Sequence, residues 1–304
     1  MEEKPLISII TITRNRASLI HKCIRSIQKQ TYTNYEHIIV DGNSSDNTSE
    51  VVAAYTKKDS KIKYIYLNYC GAEQLHQGFL ASKGQYITFL DDDDEYLPHN
   101  LEKKLELLSS LDSTFGFIYG PMDYFNASSG EFLYTHKATY EGGKEILPFA
   151  VADSVVCGTP SMMFRRCAFE SIGGSYIDGI GNNFSDWALA KKALAMGWKV
   201  KRYDQSLVKI YQHPLARLSD NTIKGVEGAK KMLLFHSYFL SVYDDVIKVN
   251  PKSAAIHYRG LVGANLRLRN FKEACKNYIR LLKVSKTLKN LVYPLHILII
   301  MYKE

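Results

Sequence analysis

The 304 residues carry a formal charge of +8, with 46% apolar and 23% charged residues, an ordinary globular composition that can bury one substantial core and a small appendage. The charge is uneven: residues 1–218 balance 24 Lys/Arg against 25 Asp/Glu, whereas residues 219–304 hold 15 against 6, a surplus that suits an anionic surface, a nucleic acid or a protein partner. The five cysteines are odd in number and form no CxxC pair, which argues for reduced thiols in a cytosol and against a disulfide framework or a zinc site.

The N-terminus runs directly into an apolar strand with no signal-peptide pattern, and the apolar stretch 291–301 is too short for a bilayer span and is interrupted by Pro294 and His296. Residues 6–12 form a continuous apolar run, the mark of a strand buried on both faces. Leu19, Ile20, Cys23, Ile24 and Ile27 then recur at helical spacing, and Cys23, like Cys275 further on, reads as a packing residue. A second buried strand at 37–40 ends in the turn Asp41-Gly42-Asn43-Ser44-Ser45-Asp46. Next come a helix at 49–57, a strand at 62–67, a helix at 73–81 and a strand at 86–90. This alternation implies βαβ crossovers and a largely parallel sheet, whose ligands bind beyond the carboxyl ends of its strands.

Past residue 100 the pattern changes. Strands are predicted at 115–119 and 131–134, around a turn at 126–130, with another at 161–164 and a helix at 186–196 ending at Gly197. No strand is predicted after about residue 219, where the chain around Phe271-Lys272-Glu273-Ala274 reads as a basic amphipathic helical hairpin. There is no repeat and no low-complexity segment.

The strongest chemical signal is Asp91-Asp92-Asp93-Asp94-Glu95, directly after a buried strand. Adjacent carboxylates raise one another's pKa unless a cation sits among them, and oxygen ligands favour Mg²⁺ or Mn²⁺. The alternative is a solvated acidic turn capping a helix at 98–109. A glycine-rich triphosphate loop, which a nucleotidyltransferase would need, is missing from Thr11-Ile12-Thr13-Arg14-Asn15-Arg16.

Three segments taken together settle the family resemblance. Ile7-Ser8-Ile9-Ile10-Thr11-Ile12-Thr13-Arg14-Asn15-Arg16, Ile39-Val40-Asp41-Gly42-Asn43-Ser44-Ser45-Asp46-Asn47-Thr48 and Gly84-Gln85-Tyr86-Ile87-Thr88-Phe89-Leu90-Asp91-Asp92-Asp93-Asp94 resemble, in order and spacing, the N-terminal half of the family 2 inverting glycosyltransferases. The resemblance covers about two-thirds of the chain and is densest in the first 100 residues. It implies an α/β GT-A (Rossmann-like) fold, a mixed, mainly parallel sheet flanked by helices, followed here by a C-terminal helical segment. The implied domains are a catalytic one at 1–218, with a nucleotide-sugar half (1–100) and an acceptor half (101–218), and a basic helical segment at 219–304.

The resemblance also implies roles. Ile12, Thr13 and Asn15 line the base and ribose, and Asp41 opens the second nucleotide loop, unless it is only a turn residue bonding its own backbone. Many relatives carry two consecutive acidic residues there; this chain has Gly42 in the second place. Asp46 reads as a helix cap. Asp91-x-Asp93 matches the DxD motif, making Asp93 the leading metal ligand, with Asp91 on metal or ribose and Asp92 sharing that work.

Ser185-Asp186-Trp187 resembles the family's second acidic motif, with Asp186 as the base that takes the acceptor proton or, alternatively, as an N-cap. His213 and Arg217 fall where relatives carry a basic loop over the diphosphate, with His213 available to a metal; the alternative is an ordinary surface loop. Gly158, Gly173 and Gly174 shape the acceptor side or are simply flexible.

The implied activity is transfer with inversion from a nucleotide-diphosphate sugar, UDP by default, to a glycan or lipid-linked acceptor, with Mn²⁺ or Mg²⁺. The expected place is the cytoplasm, peripheral on the inner face of the membrane. The basic helices either rest on an anionic leaflet or cap the catalytic domain. No nucleic-acid partner is expected. The competing reading is a degenerate carbohydrate- or nucleic-acid-binding protein on the same fold.

Overall fold

The apolar run at the start of the chain becomes β1 (Ile7–Thr13), nearly all of it buried, because parallel strands covered by helices have no solvent face. In the computed structural model, which describes residues 4–70, 73–137, 139–152, 158–174, 185–213, 225–248 and 250–303, the alternation continues through α1 (Ile20–Gln28), β2 (Tyr35–Gly42), α2 (Thr48–Thr56), β3 (Ile62–Leu67), α3 (Gln74–Ala81) and β4 (Tyr86–Phe89). β2 is buried at every position, so its polar side chains are partnered: Glu36 accepts from Ser8 and from Lys63, and His37 bonds Thr11. Ile20 and Ile24 of α1 pack on Ile39, Val52 and Ile62.

β5 (Glu95–Tyr96), α4 (Asn100–Ser110), β6 (Phe115–Tyr119), β7 (Met122–Asn126), β8 (Phe132–His136), α5 (Leu147–Ala152), β9 (Met163–Arg165), α6 (Arg166–Ser171), α7 (Ser185–Ala195), β10 (Lys199–Arg202) and β11 (Val208–Gln212) follow. The large sheet runs β10-β6-β9-β4-β1-β2-β3 and is parallel except at β9, which runs antiparallel to both β4 and β6. The expected mixed, mainly parallel GT-A sheet is therefore present. Around β9 an aromatic core closes the sheet: Phe117 stacks on Phe164 at 4.7 Å, and Phe169 meets Phe79 edge-on at 4.8 Å. Each such ring taken from water contributes roughly 1.5–3 kcal/mol.

The second sheet, β5-β11-β7-β8, is the main departure from expectation. Of its strands the sequence predicts only β8, at 131–134; it predicts neither β7 nor β11, nor β10 of the large sheet. β11 buries Val208 and Ile210 while Lys209 and Tyr211 stay partly exposed, and a strand of five residues buried on one face gives a weak local signal. The strand expected at 161–164 splits into a 3₁₀ turn, Thr159–Ser161, and β9. A register shift between Tyr124 and Phe125 leaves Leu133 unpaired as a bulge, so that Phe132 faces Phe125 while Tyr134 faces Tyr124.

The chain divides into two compact units. The first holds residues 1–146, 155–177 and 184–213; the second holds 147–154, 178–183 and 214–304. The second is helical in its described residues: α5, α8 (Gly225–Val242), α9 (Asp244–Lys248), α10 (Pro251–Arg267), α11 (Phe271–Val284) and α12 (Leu288–Lys303). Asn250 caps α10 by accepting from the amides of Lys252 and Ser253. Val262, Leu266 and Ala274 form a core joined by Tyr278 and Tyr293. Cys23 is buried as expected, but Cys275 is exposed: α11 turns Ala274 and Leu281 inward, and Cys275 lies off that face. Among the described residues no helix is long and apolar enough to cross a membrane.

Candidate active site

The acidic run forms a tight turn between β4 of the large sheet and β5 of the small one. Its four carboxylates have four different surroundings. Asp94 is buried, and its Oδ1 accepts from the Tyr211 amide at 2.9 Å, which fastens the turn to β11. Asp92 is also buried and lies 3.7 Å from the Arg16 guanidinium. Burial, and next the Asp93 charge, push its carboxyl up to about 8, against the opposing pull of Thr13 and Arg16. Asp91 faces solvent.

Asp93 meets His213, which immediately follows β11, with Nε2 2.6 Å from Oδ2. The Nε2–H donates to the carboxylate, and the buried Nδ1 has no hydrogen-bond partner among the described residues. One carboxylate and one imidazole thus converge beside a crowded acidic turn. Among the described residues no three His, Cys, Asp or Glu side chains form a ready metal cage. The pair fits a cation that takes one or two protein ligands and completes its shell with phosphate oxygens and water, as Mg²⁺ and Mn²⁺ do.

The β1–α1 and β2–α2 turns lock together beside it. Asn15 takes a left-handed conformation (φ 53°); its amide donates to Ser44 Oγ, and its Oδ1 accepts from the Ser45 amide at 2.8 Å. Asp41 is fully buried, with Oδ1 accepting from the Ser44 amide and Oδ2 from the Tyr64 hydroxyl, both at 2.8 Å, so it organises its turn. Asp46 accepts from the amides of Thr48 and Ala17, and so braces both turns from the residue before the N-cap, which is Asn47 and not Asp46 as expected. Ile12 is half-buried and Thr13 buried at the end of β1.

Three contributors escaped sequence reasoning. Arg16 was read only as part of a motif, and Asp94 only as part of a run. Gln74 carried no local signal at all. It is buried and donates to the carbonyls of Thr13 and Val40, filling the space beside Gly42; a Cβ at position 42 would lie 2.5 Å from its Cδ. The absent side chain at 42 is thus matched by a side chain from α3.

The structure gathers Thr13, Arg16, Asp92, Asp93 and His213 in one place. The backbone of Asp186 opens α7; its carboxylate and Arg217 lie outside the described residues.

A Rossmann-like sheet with an acidic turn past β4 and a histidine brought back to it is the arrangement expected of the GT-A fold. Residues 8–173, more than half of the chain, match the family model for glycosyl transferase family 2, and the chain belongs to that family. It is 34% identical over 116 residues to the putative teichuronic acid biosynthesis glycosyltransferase TuaG of Bacillus subtilis, covering 38% of this chain and 46% of that protein. It is 34% identical over 139 residues to the Escherichia coli UDP-Glc:alpha-D-GlcNAc-diphosphoundecaprenol beta-1,3-glucosyltransferase WfgD, covering 44% and 53%. The chain thus spans about half the length of these relatives. Its fold matches Staphylococcus aureus TarS 1–349 in complex with UDP-GlcNAc (TM-score 0.62, 14% identity, 90% and 89% covered). It also matches the Pyrobaculum calidifontis mannosyltransferase PcManGT in complex with GDP-Man and Mn²⁺ (TM-score 0.60, 14% identity, 97% and 85% covered).

Proposed function

We propose that this chain transfers a sugar from a nucleotide-diphosphate sugar, UDP-linked, to a hydroxyl of a lipid-linked glycan, with inversion at the transferred carbon. The observation that carries this reading is the Asp93–His213 contact of 2.6 Å at the carboxyl end of the sheet, beside the buried Asp92. WfgD is named for a UDP-glucose donor and a diphosphoundecaprenol acceptor, and TarS was solved with UDP-GlcNAc, which supports the choice of donor and acceptor class. The PcManGT complex with Mn²⁺ supports a divalent ion.

In this reading Ile12, Thr13, Asn15 and the turn held by Asp41 receive the nucleoside. Asp93, Asp91 and His213 hold Mn²⁺ or Mg²⁺, with Asp92 beside them. The bound ion supplies charge neutralisation to the departing diphosphate. Arg16 restrains Asp92, and Arg217 binds the diphosphate. Asp186 accepts the proton of the attacking hydroxyl as that oxygen bonds to the anomeric carbon and the diphosphate oxygen leaves. Residues 1–218 act as the catalytic part. Residues 219–304 hold it against the anionic inner face of the membrane, where a soluble enzyme meets a lipid-linked acceptor. The test is a donor-hydrolysis screen across UDP-, GDP- and dTDP-sugars with Mn²⁺ or Mg²⁺. Slow, divalent-dependent release of UDP supports the reading; no release from any donor sinks it.

A further inference from the structure

The small sheet carries an aromatic surface that donor chemistry leaves unused. Tyr134 of β8 lies opposite Tyr124 of β7, their rings stacked 4.7 Å apart and within 9° of parallel. β8 is the edge strand, and Tyr134 remains 45% exposed although Tyr124 covers one of its ring faces. Its hydroxyl accepts from Gln212 Nε2 at 3.1 Å. Gln212 directly precedes His213, whose ring reaches Asp93. A flat, rigid, amphipathic ring therefore lies on the sheet that also carries β5, bonded to the residue that precedes His213.

We propose that Tyr134, backed by Tyr124, is the stacking platform for a pyranose ring of the acceptor saccharide, with Gln212 bonding a hydroxyl at its rim. This rests on the transferase reading and assigns that enzyme an acceptor subsite. Axial C–H bonds of a pyranose carry partial positive charge and suit the negative face of an aromatic ring. The amide and phenol at the edge suit the sugar's hydroxyls and would be wasted on an acyl chain. The tyrosine pair sits in the regular register that also pairs Met122 with His136 and Asp123 with Thr135, and the bulge at Leu133 turns Phe132 to the face opposite Tyr134. The same bulge, with Glu131 before β8 and Lys137 after it, disfavours pairing of this edge with a second copy of the chain.

The test is saturation-transfer NMR of the full chain with methyl glycosides of glucose, galactose, N-acetylglucosamine and N-acetylgalactosamine, comparing Tyr134→Ala and Tyr134→Phe with the native protein. UDP affinity by calorimetry and sedimentation run alongside. Saturation transfer to at least one glycoside is expected, reduced about fivefold or more by Tyr134→Ala and kept within about twofold by Tyr134→Phe, with UDP affinity and melting temperature unchanged. No transfer to any glycoside in the native protein overturns the proposal, as does transfer unaffected by Tyr134→Ala. A change from dimer to monomer in Tyr134→Ala with glycoside binding intact assigns the ring to self-association instead. Because saccharide binding is read directly, loss of UDP binding by the native protein would count against the donor reading and leave this result to stand or fall by itself.

Discussion

The Asp93 carboxylate and the His213 imidazole lie 2.6 Å apart although 120 residues separate them in the chain. The Asp93 side chain is 17% exposed and the His213 side chain only 5%. On the proposed reading, this anion and imidazole would supply two ligands of a coordination shell that diphosphate oxygens and water complete.

Asp93→Ala is therefore expected to abolish transfer and to weaken the divalent-dependent part of UDP binding by roughly tenfold or more, since a hard cation loses an anionic ligand. Calorimetry of UDP with and without Mn²⁺ measures this. Metal-dependent binding that survives in the variant would remove Asp93 from the site.

Asp186→Asn is expected to keep the fold and the donor affinity while lowering turnover by roughly two orders of magnitude or more, the range for losing a general base. Steady-state kinetics beside UDP calorimetry separates the outcomes. A collapse of donor binding, or full turnover, would make Asp186 a helix-opening cap.

The buried pair His236 and His257 predicts how the helical unit responds to acid. Their Nδ1 atoms are 3.0 Å apart, and His257 Nε2 is bonded to the Val151 carbonyl at 3.0 Å. His257 donates from Nε2, so its Nδ1 accepts and His236 donates. Burial first, then His257, holds the His236 pKa down to about 3. A histidine whose folded pKa lies below its unfolded value of about 6.5 contributes stability that is complete above 6.5 and drains away as pH falls toward 3. Helical melting followed by circular dichroism is expected to drop in temperature between about pH 6.5 and 4, and His236→Phe is expected to flatten that slope. An unchanged slope would assign it to another group.

On α12, Leu288, Leu291, Val292 and Leu295 recur at helical spacing, yet all four are exposed, at 76%, 48%, 45% and 64%. Lys286 and Lys289 lie beside them. An apolar stripe turned outward and rimmed by lysine suits the headgroup zone of an anionic leaflet, where each basic residue contributes on the order of 1 kcal/mol. Leu291→Ser with Leu295→Ser is expected to cut flotation with phosphatidylglycerol vesicles several-fold, while added salt weakens the native protein's binding. Equal flotation of both proteins would make the stripe a contact for something other than lipid.

The first hundred residues were legible because each βαβ step is local: a buried run, a helical period and a turn lie within some thirty residues, so β1, β3 and α3 fell within a residue or two of expectation. The acidic run announced itself by composition. The surroundings that distinguish its members did not, because Arg16, Tyr211 and His213 reach the turn from distant segments. The small sheet was obscured for a related reason: β7 and β11 are short and partly exposed, and β11 pairs only with strands far away in sequence, β5 and β7. Gln74 shows the limit most clearly, since only packing reveals that it fills the space a side chain at position 42 would need.

The tether from the Tyr211 amide to Asp94 spans 117 residues, and this bears on the order of assembly. The large sheet can pair β1 with β2 and β4, and β2 with β3, from contacts within the first ninety residues, and such short loops close quickly. The acidic turn cannot be completed until β11 has been made and has docked beside β5. On the proposed reading, the nucleoside side of the site would form early in synthesis and the phosphate side late. A nascent chain stalled before residue 208 would carry a paired sheet with an acidic turn still missing its strand partner, its backbone tether and its histidine.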